Sequence, residues 1–233
     1  MKMTTGQYIV LIMTLLNISN LNAEIMDVSC VYETTENHSE EFGLHHHKTE
    51  AEVMKWYFWR TGNEIEVSNS TQSFGEKWVL SNSNNIYYQA LYHDKQFLLD
   101  FQPADLKILG QQTRWQDKST LFPKRLLKQL TVKEIGKFKQ YKMVSYRGKV
   151  AGVDYQVTWL PELDIPASVV KKVSGKRVIT ELKEVYLLKD TPYQRITTEK
   201  YDDMDYADIG DNESHPIVAQ LQKNSGIGYF HQH

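Results

Sequence analysis

The chain has one cysteine, Cys30, among 233 residues, so no intramolecular disulfide can form and stability has to come from a packed core. Cys30 is also poorly placed for lipid attachment, because Asp27-Val28-Ser29 precede it and a mostly polar stretch separates it from the apolar run ending at Leu16. A buried thiol is the expectation, although an odd cysteine in an exporting compartment can also bridge two chains. Neither sign of charge dominates: 27 Lys and Arg stand against 29 Asp and Glu. That balance argues against nucleic acid as the main partner. The catalytic signatures are missing as well. There is no G-x-S-x-G, no P-loop, no Gly-rich dinucleotide turn, no H-E-x-x-H and no calcium-loop spacing. A Cys30–His thiolate pair has no local support. Carboxylates are numerous, so a facing glycosidase pair stays open. Internal repeats and long low-complexity linkers are absent.

What is present begins with MKMTTGQYIVLIMTLLNISNLNAE. Lys2, the apolar run Tyr8 to Leu16 and Ala23 read as the charged, hydrophobic and cleavage regions of a secretory signal peptide over 1–23. The run is about half of the ~20 residues that a membrane helix needs. The expectation is an exported chain, periplasmic or secreted, with residues 24–233 forming one domain and a mobile C-terminal tail. Three glycosylation sequons, at Asn37, Asn69 and Asn212, matter only in a eukaryotic secretory pathway.

The middle of the chain reads as strands. Val53 to Arg60 is aromatic and β-rich, Thr61-Gly62-Asn63 is a turn, and Glu64 to Val67 alternates. Phe74 to Leu80, Ile86 to Tyr92 and Phe97 to Phe101 follow, separated by Ser81–Asn85 and His93-Asp94-Lys95. A helix is expected after a cap at Ser119 or Thr120, with Pro123 in its first turn and Leu126, Leu127 and Leu130 on one face. Strands resume at Phe138 to Arg147, pairing through residues 148–152 with Val153 to Leu160. Ala167 to Val173 and Arg177 to Leu188 form a further hairpin. A terminal helix is expected near Pro216, with Asp211 and Glu213 at its positive end. The fold class is α+β: a large curved antiparallel sheet, an incomplete barrel, with two or three covering helices. Two subdomains split near 130–137 are the alternative.

The stretch VDYQVTWLPELDIPASVVKKV resembles a recurring feature of the periplasmic lipoprotein-carrier superfamily, the LolA/LolB-like proteins. Trp159-Leu160 end a strand, Glu162 to Asp164 turn, and Ile165-Pro166 open the next strand. The hairpin MKWYFWRTGNEIEV is similar to the early hairpin of that superfamily. The resemblance implies a curved sheet whose open face is covered by helices and whose apolar interior shelters acyl chains. It further implies a lipid, a lipidated protein or another apolar molecule as ligand, and membrane association that is at most transient. Candidate inner-face ligand-binding residues are Trp56, Phe58, Trp78, Tyr88, Leu99, Tyr155, Val157 and Trp159; each could equally be an ordinary core residue under a helix. The superfamily opens with a helix, whereas Asp27 to Glu40 has poor helical periodicity.

Eight histidines are the other conspicuous feature. His45, His46 and His47 are consecutive, and the chain ends Phe230-His231-Gln232-His233. In extended backbone His45 and His47 point one way, and His231 and His233 repeat that spacing, so each pair can reach one Zn or Cu ion. His38 lies near the first pair, and Asp202, Asp203, Asp205, Asp208 and Asp211 could add oxygens. The plainer reading is a solvated edge, a frayed tail and an acidic loop. The first expectation is thus a non-catalytic binding or carrier protein for an apolar ligand without a cofactor. A Zn- or Cu-binding protein is the alternative, and a hydrolase on the same sheet comes third.

Overall fold

Alternation along Val53–Arg60 explains the architecture. Trp56, Phe58 and Arg60 point to one side of the sheet, Tyr57 and Trp59 to the other, and all five are buried because both faces are covered. We describe a computed structural model that covers residues 26–38 and 53–212, together with His215 and Val218. Twelve strands form one sheet. In chain order they are β1 (Val28–His38), β2 (Val53–Arg60), β3 (Glu64–Asn69), β4 (Phe74–Leu80), β5 (Ile86–Tyr92), β6 (Phe97–Phe101), β7 (Thr131–Phe138), β8 (Tyr141–Val150), β9 (Val153–Leu160), β10 (Ile165–Val173), β11 (Lys176–Leu187) and β12 (Asp202–Asp205). The spatial order is β12-β6-β5-β4-β3-β2-β1-β11-β10-β9-β8-β7. All pairings are antiparallel except β12 with β6, and β7 and β12 are the two unjoined edges. This is the expected incomplete barrel. The short helices α1 (Pro103–Ile108), α2 (Trp115–Ser119) and α3 (Lys124–Leu127) lie between β6 and β7 and cover its inner face.

Strand β1 had no element assigned to it from sequence, yet it is the seam of the sheet, joining β2 on one side to β11 on the other. Its pattern, Val28, Cys30 and Tyr32 inward and Ser29 and Val31 outward, is buried on both faces, so no polar face advertises the strand. Strands from both sides of residues 130–137, where a split into subdomains was the alternative, belong to the same sheet.

Other boundaries differ for local reasons. Ser119 and Thr120 do not cap the Leu126/Leu127 helix. Ser119 ends α2, and Thr120 turns its hydroxyl back to Gln116 O at 2.5 Å. Leu121 then takes a left-handed φ of 57°, which breaks the helix before Pro123 opens the single turn of α3. Phe138 ends β7, and a turn with Lys139 at φ 54° separates it from β8, so 138–147 is not one strand. The hairpin turns are two-residue left-handed pairs, Ala151-Gly152 (φ 49° and 85°) and Ser174-Gly175 (φ 48° and 79°), whose twist matches the flanking strands. The acidic segment read as a loop is instead edge strand β12 and a 3-10 turn over Tyr206–Asn212. The leader, most of the terminal-helix segment and the tail lie outside the described residues.

Candidate functional site

Two apolar clusters share the inner face. The larger is floored by Tyr32 and Trp56, stacked at 4.6 Å, and continues through Phe58 to Trp78, Tyr88 and Phe101. Trp78 and Tyr88 lie 4.3 Å apart and Tyr88 and Phe101 5.1 Å apart, within the range of aromatic attraction. Leu106 of α1, Trp115 of α2, Leu121, Ile209 and Val218 close over this floor. The smaller cluster joins Val157, Trp159 and Val169 of β9 and β10 to Phe122, Leu127 and Leu130 above them. Gly148 of β8 makes room for that cover, since a Cβ there would meet Leu130 Cδ2 at 3.1 Å.

Each proposed ligand-binding residue can therefore be placed. Trp56, Phe58, Trp78, Tyr88 and Leu99 lie in the larger cluster, and Val157 and Trp159 in the smaller one. Tyr155 is half-buried, edge-on to Phe122 at 5.7 Å. The structure brings all eight to the inner face but divides them between two covers. As the chain stands, every one except Tyr155 is buried in the core.

The cover is fastened at one end by a residue that sequence reading passed over. Arg60 is 1% exposed. Its guanidinium donates to four main-chain carbonyls: Met26 at 2.9 Å, Leu163 at 2.6 Å, Ser119 at 2.7 Å and Asp164 at 3.4 Å. The segment just before β1, the β9–β10 turn and the end of α2 thus meet on one cation, while Nε has no partner among the described residues. Lys124 at the start of α3 pairs with Asp164 beside it. Burial lowers the Arg60 pKa, with Asp164 acting against that trend. The signal was readable, since Arg60 continues the inward row Trp56, Phe58 by the same step of two.

Away from that anchor the cover includes charged groups. The Lys118 ammonium lies 4.0 Å from the Trp78 ring centroid, and the Trp78 indole N–H donates to Glu76 at 3.4 Å. Burial lowers the Lys118 pKa, and Glu76 opposes it. Lys171, which shares the inner face with Tyr155, has its pKa lowered by burial. Cys30 offers no chemistry: it is 0% exposed, and burial pushes its thiol up to about 12, so it stays protonated.

On the outer face the segment 191–199 crosses the sheet without regular structure and encloses a groove of about 580 Å³ with Trp59, Glu64, Glu66 and Lys77. Glu64 is paired with both Lys77 and Arg195, whereas Glu66 reaches Arg195 only at 3.6 Å. Burial raises Glu66 to about 7. Tyr193 holds the segment by donating to Glu184 at 3.0 Å, and His93 Nδ1 meets Tyr201 OH at 3.0 Å.

Among the described residues, no group of three or more His, Cys, Asp or Glu is arranged to hold a metal. The proposed ligands His45, His47, His231 and His233 all lie outside the described residues. None of the described helices is long and apolar enough to cross a membrane.

No family model and no curated protein matches the chain. Solved structures match it with low scores. PNGF-II matches at a TM-score of 0.40 and 12% identity, over 80% of this chain and 32% of that one. The MucA/MucB complex of Pseudomonas aeruginosa gives 0.39 and 7%, over 70% and 52%. A putative outer membrane lipoprotein-sorting protein domain from Vibrio parahaemolyticus gives 0.30 and 8%, over 75% and 90%. The chain thus spans a third to a half of the first two in length. Identities this low carry no residue roles from one chain to another.

Proposed function

We infer that the protein is an exported, non-catalytic binding or carrier protein whose inner sheet face takes an apolar ligand: a lipid, a lipidated protein or another apolar molecule. One observation carries the reading. The cover over the aromatic floor includes, beside its apolar side chains, the lysine of a five-residue helix, whose ammonium lies against Trp78. Lifting α2 lets the Lys118 ammonium regain water, which offsets part of the cost of exposing Trp78. An arriving acyl chain would supply the rest at ~0.8 kcal/mol for each CH₂ removed from water. Arg60 and the Lys124–Asp164 pair hold one end of the cover, so it would open as a flap and not detach.

The test uses the five tryptophans. Two proteins are prepared, each keeping one tryptophan, Trp78 or Trp59, with the others changed to Phe. They are titrated with a fatty acid brominated along its chain. Quenching of Trp78 on the inner face, with Trp59 on the outer face unaffected, supports the reading. Equal quenching of both, or of neither, rejects it. A zinc or copper role for His45, His47, His231 and His233 is a second proposal, checked by metal content after His→Ala replacement.

A further inference from the structure

Charge is balanced in the chain but not along it. Residues 124–190, which supply α3 and strands β7 to β11, hold fifteen Lys and Arg against seven Asp and Glu, leaving twelve basic and twenty-two acidic residues elsewhere. Sequence composition hides this because the two halves cancel.

The sheet register concentrates part of the excess. Across β8, β9, β10 and β11 one outer row reads Lys149, Asp154, Lys172, Arg177, and the next begins Arg147, Gln156. A cleft of about 300 Å³ is lined by Arg147, Lys149, Asp154, Gln156 and Lys172. Lys172 and Arg177 are directly opposed across the β10–β11 pair, an arrangement that costs stability unless an anion lies between them. Asp154 reaches Lys149 only at 4.0 Å, with both side chains largely exposed, and no ion pair engages Arg147, Lys172 or Arg177 among the described residues. At this end of the sheet both hairpin turns, Ala151-Gly152 and Ser174-Gly175, point the same way, because β8–β9 and β10–β11 open in the same direction. Val173 follows Lys172 in β10 with its side chain on the opposite face, and at this same hairpin end it is 43% exposed.

We propose that this end of the sheet, the tips of the β8–β9 and β10–β11 hairpins, docks tip-on against an anionic phospholipid surface, with Arg147, Lys149, Lys172 and Arg177 of the outer face meeting headgroup phosphates and Val173 entering the interface from the other side of the tip. Cations flanking an apolar tip suit a bilayer surface, where charge attraction and shallow apolar burial act together. A nucleic acid would use the same cations but has no place for Val173. The proposal does not depend on what the inner face holds.

The test is flotation of the whole protein with vesicles of phosphatidylglycerol and phosphatidylcholine in equal parts, and with vesicles of phosphatidylcholine alone. Binding is expected to the first only, and to fall with added salt. The R147Q/K172Q/R177Q variant is expected to bind on the order of a hundredfold more weakly, since each cation near an anionic surface contributes about fivefold. The variant K107Q/R114Q/K200Q removes the same charge from other surfaces and is expected to bind as the parent does. Circular dichroism and the urea midpoint confirm that both variants fold. No binding to phosphatidylglycerol vesicles, equal loss in the two variants, or a DNA duplex that competes as well as soluble phosphatidylglycerol at equal phosphate overturns the proposal.

Discussion

Replacing Arg60 with Met keeps most of the side-chain volume and removes every donor. Three well-formed charge-assisted hydrogen bonds are lost, to Met26, Leu163 and Ser119 carbonyls at 2.6–2.9 Å. Each such bond contributes about 1.5–3 kcal/mol net, so the gross loss is on the order of 4–9 kcal/mol. Opposing this, the arginine carries a charge out of water, and among the described residues no carboxylate lies within bonding distance of it. Relieving that desolvation returns several kcal/mol. The two effects do not cancel. The carbonyls belong to the backbone, so they remain buried and unpaired at about 1–3 kcal/mol each. The net expectation is a destabilisation of about 3–5 kcal/mol, as when one partner of a buried charge network is removed. Equilibrium urea unfolding measures it as a shifted midpoint at constant slope. Because Ser119 ends α2, limited proteolysis of the variant is expected to cut first between 103 and 130. A loss below about 1 kcal/mol would refute the reasoning, since it would mean that the carbonyls find other partners and that Arg60 fastens nothing. Arg60→Lys separates charge from geometry: one ammonium reaches fewer of the carbonyls, so about half the loss should remain.

Trp159→Ala should destabilise by about 3–5 kcal/mol, because its ring is 4% exposed between Val157 and the α3 cover; a loss under 1 kcal/mol in the same urea assay contradicts that packing. Glu66 gives a pH test. Its carboxyl is raised by burial from 4.5 to about 7, so the folded chain holds that proton more tightly than the unfolded one. Its contribution to stability is fully present below about pH 4.5 and is lost as pH rises through about 7. Glu66→Gln should therefore match the parent near pH 4.5 and exceed it at pH 8 by up to about 3 kcal/mol; parallel pH profiles would show that the groove is open to water. Cys30 should resist thiol reagents in the folded protein and react at once in urea, given its burial and a thiol raised to about 12. Labelling at the rate of a free thiol under native conditions would remove β1 from the seam of the sheet.

Much of the sheet was legible because its strands are rich in aromatic and β-branched residues and are bounded by turn residues. Val53–Arg60, Phe74–Leu80, Ile86–Tyr92 and Phe97–Phe101 have the same limits in sequence and structure. Strand β1 escaped because Val28–Tyr32 are buried on both faces while Glu33–Asn37 are polar and partly exposed, so no single pattern runs its length. Strand β12 escaped because four acidic-rich residues read as a loop until β6 offers them a parallel edge. The inner-face candidates follow from the step of two, and that rule extends to Arg60. No local signal could indicate that its partners are the carbonyls of residues 26, 119, 163 and 164.

Composition and periodicity by themselves determined a core without disulfides, an antiparallel α+β sheet and the set of residues that can face inward. These are properties of neighbours in the chain, fixed by side-chain chemistry and strand geometry. Contacts between distant segments needed the tertiary structure. It divided the inner face between two covers, seated Lys118 on Trp78, joined Arg60 to four carbonyls, and gathered the cations of β8, β10 and β11 into one corner. Those outcomes depend on strand order and register, which bring together residues more than a hundred positions apart and which no local pattern encodes.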